Sequence, residues 1–521
     1  MFTSFIIALV SFLILPISPC NGMGKGQETG HSNEYQQIIV KTLQPDKSFS
    51  EQVRNPNTIY KISYIFDLKG SKINLPENCV LKFEGGRICN GTLIGNRTRI
   101  ESPVLTIFDS VTIKGTWDVE EAYTEWFGAQ GDGKHDDGPA IRAALASPFR
   151  IIRLLGTNVY GIGSYANKNE KIGLETFHDN TKIIGSNKGT EESRCPQIRA
   201  LPNVQFKVLL KVSHRSTVFS GFQIYGNYKK GNKGFTDLNV ETGLEVGNGK
   251  KMLGYFQMDG VEVGYVKGDA VYLSTFCCEI RNTLVRYCDR GFVFDGKKST
   301  VTSCLLSNCF VIASRHEAYY AYKTFYSNFV QCYADRCGFD FFGGSFDVND
   351  ISPVFHISNS RGVNFSGCGS ELAAKILYFE ESCNIVVTGG TFNVTDEAWI
   401  ESLDSYLDFY KCNSVTILGS HIFETRNNLA RIKARESENI SLIRCLYRDH
   451  GVLNNVTRSC VTPGSSFIYL YESQDERCAS DSRPSGLTEK EIGYRVFDTD
   501  LNKPLWWSKI GWVDANGNKV E

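Results

Sequence analysis

The sequence predicts an all-β solenoid, a chain wound into stacked coils, and two observations carry this prediction. From Arg150 onward, short runs of alternating apolar residues end in Asn, Gly or Cys and restart after about twenty to thirty residues. Helical patterns, which a βαβ fold would need between its strands, are scarce outside Pro139–Ala146. One coil cannot bury its own apolar face, so such repeats stack into one continuous core, and a 521-residue chain can form a single unit.

The N-terminal residues predict export from the cell. Phe2–Ile17 is almost continuously apolar and is followed by Pro19 and Gly22, which is typical of a signal peptide over residues 1–22. We therefore expect a secreted, periplasmic or cell-surface protein of a bacterium. Lipid attachment at Cys20 is the less favoured alternative, because Pro19 stands where that modification needs a small residue. The run is too short to span a membrane, and no second apolar segment of spanning length follows, so we expect no transmembrane segment.

The segments after the signal peptide divide by their patterns. Residues 23–59 form a polar linker and N-terminal segment, and 60–125 alternate short strand patterns with turns. The coil-length repeats occupy 126–460, and 461–521 contain a polar linker and a tryptophan-rich β module.

The repeats are entered through Trp126–Leu145, which reads WFGAQGDGKHDDGPAIRAAL. Its glycines permit turns with positive φ, and Asp136 and Asp137 can cap free N–H groups at a helix start. Pro139 suits the first turn of a helix whose apolar face follows.

This entry segment resembles that of the pectate-lyase-like β-helix superfamily, which includes rhamnogalacturonases, epimerases, polygalacturonases, pectate lyases and phage tailspikes. The resemblance implies a right-handed parallel β-helix with three sheets, and a helix over Pro139–Ala146 that plugs its N-terminal end. It also implies that the aspartates of the segment are structural.

The C-terminal segment IGYRVFDTDLNKPLWWSKIGWVDANGNKV resembles an element of phage tail proteins and secreted bacterial proteins. Trp506, Trp507 and Trp512 either fill the small core of this β module or form a surface for glycan stacking or assembly. The tailspike resemblance brings a homotrimer as one expectation.

The cysteines indicate packing more than cross-linking. Cys288, Cys309, Cys332 and Cys368 each follow a short apolar strand pattern, about one coil apart or a little more. We predict a ladder of small, buried, unpaired thiols, with a few disulfides as the alternative.

Candidate catalytic residues come from two near-copies, YCDRGFVFDG and YADRCGFDFFGG. They place Asp289–Arg290 and Asp335–Arg336 46 residues apart, two coils, so equivalent carboxylates would lie about 10 Å apart, near the limit for an inverting hydrolase. Each Arg could neutralise a substrate carboxylate. The alternative is that both pairs are ordinary turns that repeated coils reuse. Asp335 is the preferred carboxylate.

Further candidates are His316–Glu317, in a stretch with Tyr319, Tyr320 and Tyr322, and Glu371. Of the polygalacturonase catalytic motifs only the triplet Arg431–Ile432–Lys433 has a match, so hydrolysis of that type is not supported.

Two function classes follow. The first is a polysaccharide lyase or glycoside hydrolase acting on a pectin-like or other acidic polysaccharide, with calcium as a cofactor only if it is a lyase. The second is a non-catalytic glycan-binding or tailspike-like adhesin. A net charge of −1 gives no reason to expect nucleic acid as a partner.

Overall fold

The computed structural model describes residues 39–186, 195–227, 238–247, 253–297, 299–339, 351–373, 375–394, 405–424, 432–443, 445–449, 467–470 and 476–520, the last range without 484, 486, 488, 490, 491, 493 and 494. The predicted signal peptide with Cys20, the residue Arg431 and the predicted solenoid end at Cys460 lie outside these ranges.

The N-terminal section is itself built from stacked parallel strands. The long strand β6 pairs in parallel with β3, β4, β5 and β7. Among the described residues, the strands start with β1 at Ile39, within the segment predicted as linker and N-terminal segment. The elements are β1 (Ile39–Thr42), α1 (Phe49–Gln52), β2 (Thr58–Ile62), β3 (Ile65–Asp67), β4 (Lys72–Asn74), β5 (Val80–Phe83), β6 (Arg87–Glu101) and β7 (Phe108–Trp117).

The entry segment contains a 3-10 helix (Thr124–Phe127) and α2 (Gly138–Ala146), as predicted. Asp137 is the N-cap residue, but its side chain does not cap the helix. Its buried carboxylate instead accepts the backbone N–H groups of Gln130, Gly131 and Gly161 at 2.7–3.2 Å. The structural role predicted for this aspartate is confirmed, and it consists of joining the glycine turn to the first coil.

The coils that follow confirm the predicted fold class, a parallel β-helix. Each coil contributes strands to three parallel sheets, which we call sheets 1, 2 and 3. Sheet 1 contains β8 (Ala122–Tyr123), β9 (Ile151–Arg153), β12 (Lys182–Ile184), β15 (Val218–Ser220), β18 (Gln257–Asp259), β21 (Glu279–Arg281), β25 (Leu305–Ser307), β29 (Asn328–Val330), β32 (Asn364–Ser366), β35 (Cys383–Thr388), β38 (Asn413–Leu418), β41 (Glu438–Ile443) and β43 (Phe467–Leu470). A short pair, β24 (Val301–Thr302) and β28 (Thr324–Phe325), lies outside these three sheets.

Sheet 2 contains β10 (Val159–Ile162), β13 (Gln197–Ala200), β16 (Gln223–Tyr225), β19 (Glu262–Gly264), β22 (Leu284–Cys288), β26 (Phe310–Ser314), β30 (Tyr333–Asp335), β33 (Gly369–Ala373), β36 (Thr391–Val394), β39 (His421–Glu424) and β42 (Leu446–Asp449). Sheet 3 contains β11 (Ile172–Glu175), β14 (Phe206–Val212), β17 (Val240–Val246), β20 (Asp269–Leu273), β23 (Arg290–Asp295), β27 (Tyr319–Tyr322), β31 (Pro353–Ser358), β34 (Lys375–Glu380), β37 (Leu407–Tyr410) and β40 (Ile432–Arg435).

One hydrophobic core runs from Leu43 to Cys445, through the N-terminal section, α2 and the β-helix. The helix α2 belongs to this core and contacts both the 3-10 helix of the entry segment and the strands β10 and β11. Phe149, just after it, contacts Trp117 of the N-terminal section at a ring distance of 5.8 Å.

The corners between sheets explain the many cysteines. Cys309, Cys332 and Cys368 are buried and unpaired, as predicted, and each follows a residue with positive φ. Each thiol has one hydrogen to donate and lies within hydrogen-bonding distance of two carbonyls, one two residues earlier and one on the preceding coil; for Cys332 these belong to Val330 and Leu306. Cys288 is also free, but it stacks in a different column, because its register partner is Ser314.

The C-terminal module is a small sheet of β44 (Glu476–Cys478), β45 (Arg495–Asp498), β46 (Lys503–Ser508) and β47 (Gly511–Val513). Trp512 is buried with Val496 and Leu505, and Trp507 packs on it at a ring distance of 5.6 Å. Two of the three tryptophans therefore contribute to the core of the module.

Candidate functional site on the outer face of sheet 3

One outward-facing row of side chains crosses sheet 3 along the solenoid. Residues in this row are direct register partners on successive coils. We call it the central row; it contains Glu175, Lys211, Glu245, Tyr272, Val293, Tyr320, His356, Tyr378, Asp408 and Lys433.

His356 lies between two carboxylates. Its Nδ1 is 3.0 Å from Oε1 of Glu317, and its Nε2 is 3.4 Å from Oε1 of Glu380. The three side chains are only 13–29% exposed, which is low for polar groups on the outside of a solenoid. Partial burial strengthens the electrostatic interaction between them.

Two tyrosines flank this histidine in the central row. The Tyr320 ring meets His356 edge-on at 5.0 Å, and the Tyr378 ring lies 4.8 Å away on the other side. The Tyr378 hydroxyl donates to Oε2 of Glu380 at 2.9 Å. Burial, together with that carboxylate, raises the pKa of Tyr378, so its phenol stays protonated and remains a donor.

Both glutamates favour their ionised form. Burial alone would raise the pKa of Glu380, but hydrogen bonds from Ser358 and Tyr378, together with His356, bring it below its ordinary value. Burial opposes ionisation of Glu317 in the same way, and its contact with His356 likewise leaves the pKa below the usual range. At neutral pH both side chains are therefore carboxylates.

Two described cations beside the flanking tyrosines are paired with carboxylates. Arg290 forms a two-point ion pair with Asp269, at 2.7 and 3.0 Å, and its guanidinium lies 5.2 Å from the Tyr320 ring centroid. Lys375 lies 3.3 Å from Asp408.

Three of the predicted candidates, Asp289, Arg290 and Glu317, lie at or beside this face. Glu317 and Arg290 belong to it, as described above. Asp289, at the corner between sheets 2 and 3, accepts a hydrogen bond from Nδ1 of His316 at 2.7 Å.

The other predicted candidates lie on sheet 2. Asp335 is the register partner of Glu371, and Nε of Arg336 is 3.8 Å from its Oδ1. Burial, and secondarily Glu371, raises the pKa of Asp335. Its Oδ1 is buried and accepts no hydrogen bond from the residues that the structure describes.

The equivalence predicted for the two near-copies is wrong. In the register of sheet 2, Asp335 pairs with Ile312, which in turn pairs with Arg286, not with Asp289. Matching the two copies by their identical Asp–Arg residues puts them out of register with the sheet. The cysteine at the corner between the sheets comes before the aspartate in the first copy and after it in the second. Asp289 and Asp335 therefore do not form a pair of like positions.

Sequence inspection missed His356, Tyr378 and Glu380. The signal that could have found them is alternation: in VFHIS and ILYFE the polar residues occupy every second position between buried Phe, Leu and Ile. Aligning these strands on their buried residues would have placed Tyr320, His356 and Tyr378 in one row.

The described residues contain neither a metal-ligand cluster nor a membrane-spanning helix. No group of three or more His, Cys, Asp or Glu side chains in them is arranged to hold a metal ion. Within the same part of the chain, no helix has the length and apolarity needed to cross a bilayer.

Comparison with known proteins finds similarity at the level of structure. No family model matches the sequence, and no curated protein matches it. The DFA-IIIase of Arthrobacter chlorophenolicus A6, in complex with GF2, is 14% identical, has a TM-score of 0.53, and is matched over 68% of this chain and 95% of its own. The tailspike gp42 of Acinetobacter phage vb_AbaP_AS12 is 12% identical with a TM-score of 0.49 over 74% of each chain. The mannuronan C-5 epimerase AlgE6 A-module of Azotobacter vinelandii is 15% identical with a TM-score of 0.46, over 67% of this chain and 96% of its own. At these identities the similarity concerns the fold.

Proposed function

We propose that the protein is a secreted glycan-cleaving enzyme, a glycoside hydrolase, with its reaction centre at Glu317, His356 and Glu380. The observation that carries the proposal is an imidazole held between two ionised, partly buried carboxylates in a row of tyrosines. At Asp408 in the same row, one carboxylate lies between two cationic side chains, Lys375 and Arg435. This cluster instead places two acidic groups around a single titratable ring. The secreted location rests on the apolar N-terminal residues.

Hydrolysis of a glycosidic bond needs a proton for the leaving oxygen and a base for the attacking water. Glu317 accepts from Nδ1 of His356, so Nε2 is the ring atom left to exchange a proton; it is buried and lies 3.4 Å from Oε1 of Glu380. His356 and Glu380 are too close, at 3.4 Å, to act on opposite sides of a glycosidic bond. In this assignment they therefore handle one proton as a pair, and Glu380, the more exposed of the two, is the group that contacts the glycan. Glu317 is a positioning residue, because it acts through the imidazole.

Elimination, the lyase reaction, is less well supported by the same residues. A lyase must neutralise the substrate carboxylate beside the base. Arg290 and Lys375, the cations described above, are instead paired with Asp269 and Asp408. The adhesin alternative accounts for the tyrosines, whose faces can stack on sugars, but gives no role to the carboxylates.

The test uses the full chain and a panel of neutral, amino and acidic polysaccharides. New reducing ends report hydrolysis, and absorbance of unsaturated products reports elimination. We expect reducing ends without unsaturated products, and a loss of about 10²–10⁴-fold in kcat for His356→Gln and Glu380→Gln. The matched control is Glu371→Gln, an exposed glutamate on sheet 2, which should retain activity.

Three outcomes would overturn the proposal. Unsaturated products would make the protein a lyase, and binding without any cleavage across the panel would make it an adhesin. A loss of activity in Asp335→Asn and Glu371→Gln, with His356→Gln unaffected, would move the site to sheet 2.

A further inference from the structure

A cleft lies on the same outer face, on coils N-terminal to the His356 cluster. It has a volume of about 550 Å3 and draws its walls from β11, β14, β17 and β20. Glu175, Lys211, Glu245 and Tyr272 of the central row line it, so the cleft and His356 share one line along the solenoid. Asp269 also links the two, since it lines the cleft and pairs with Arg290.

The charges of the cleft are unbalanced toward the acidic side. Its charged lining residues are the acidic Glu170, Glu175, Glu245 and Asp269 and the basic Lys207 and Lys211; Asp269 is compensated by Arg290 outside the lining, which leaves three carboxylates to two lysines.

The better buried lysine of the cleft is held by its neighbours. Lys211 lies 3.4 Å from Glu170 and 3.3 Å from Glu245, and its side chain is 12% exposed. Burial alone would lower the pKa of Lys211, but Glu245 and Glu170 raise it above its ordinary value, so its charge is committed to them.

We propose that this cleft binds the unreacted sugars of the substrate and that these sugars carry no acidic groups, so that the substrate is a neutral or amino-sugar glycan. The inference rests on the proposed function and narrows its substrate class. Carboxylates accept strong, charge-assisted hydrogen bonds from sugar hydroxyls or ammonium groups. A polyuronate would bring like charges beside Glu175 and beside Glu245, which shares the single charge of Lys211 with Glu170. The ring of Tyr272, whose hydroxyl donates to Asp295 at 2.9 Å, offers an apolar wall.

The test measures binding separately from cleavage, in the full chain carrying Glu380→Gln. Isothermal titration with neutral, amino and uronic oligosaccharides should give binding of the first or second group and none of oligogalacturonate. Glu245→Gln, added to this background, should weaken binding about tenfold, since a hydrogen bond to a charged group is lost. Glu371→Gln is again the control and should leave binding unchanged. Binding that weakens with added salt would identify amino sugars, whose attraction to carboxylates is screened.

Binding of oligogalacturonate, strengthened by Glu245→Gln, would overturn the inference, and so would the absence of binding across the three groups. The two proposals can fail separately. If neutral sugars bind as expected while the wild-type protein cleaves nothing, the cleft is a sugar-binding site and the assignment as a hydrolase is wrong. If cleavage occurs but Glu245→Gln changes neither binding nor KM, the cleft assignment alone is wrong.

Discussion

At the scale of single residues, His356 and Asp408 occupy the same row but have opposite surroundings. Asp408 is 5% exposed and has two cations beside it, Lys375 at 3.3 Å and Arg435 at 3.0 Å. Opposite charges satisfy it, so it is best explained as a structural ion cluster. His356 instead has a carboxylate beside each ring nitrogen, Glu317 at 3.0 Å and Glu380 at 3.4 Å, so one ring is shared by two anions.

The lowered pKa values of Glu317 and Glu380 predict how stability depends on pH. A carboxyl whose folded pKa is below its unfolded value, about 4.3, stabilises the fold above that value. This contribution disappears as the pH falls through the lowered folded pKa. The double variant Glu317→Gln/Glu380→Gln should therefore melt below the wild type at pH 6–7, and the difference should shrink below about pH 4.

Differential scanning calorimetry between pH 3 and 7 measures this difference. Glu371→Gln, at an exposed position, serves as the control and should follow the wild type throughout. A difference that stays constant down to pH 3 would contradict the ionised state assigned to the two glutamates.

At the scale of elements, the residues at the corners between sheets could be predicted from the sequence, whereas the register of the strands could not. A small donor after a residue with positive φ recurs from coil to coil, as at Gln331–Cys332 and Gly367–Cys368, so the period and the buried thiols were visible. The site was not visible, because Glu317 and His356 are 39 residues apart in the chain and meet only through the register of sheet 3. Coils of unequal length hide such a register from inspection, and the near-copies around Asp289 and Asp335 suggested a false one.

The corner thiols predict a graded response to substitution. Cys332→Ser keeps a donor beside the carbonyls of Val330 and Leu306, whereas Cys332→Val removes it, although the Val330 carbonyl still accepts the N–H of Asn308 at 2.9 Å. We expect Cys332→Val to lose about 0.5–1.5 kcal/mol of stability, the net value of one hydrogen bond, and Cys332→Ser to lose less, from denaturant midpoints. Mass mapping without reductant should find Cys288, Cys309, Cys332 and Cys368 as free thiols. A disulfide at any of the four, or equal losses for the two variants, would refute the corner role.

At the scale of the whole molecule, the continuous core makes the N-terminal section and the β-helix depend on one another. The helix α2 lies between them, with Ile141 only 1% exposed, and Phe149 contacts both Trp117 and Phe127. In a solenoid each unit is stabilised chiefly by its neighbours, so a defect at this junction removes support from both sides.

Ile141→Asp tests this dependence, because it places an unpaired charge in the junction. We expect a loss of a few kcal/mol, the scale of an uncompensated buried charge, and a shift of the main calorimetric transition as a whole. Ala146→Asp, at an exposed position of the same helix, is the matched control and should change the melting temperature little. If the N-terminal section were an independent domain, Ile141→Asp would instead split the transition and leave one part at its original temperature. Enzymatic activity measured against temperature also distinguishes the two cases, because a coupled solenoid loses activity at the same temperature as the main calorimetric transition.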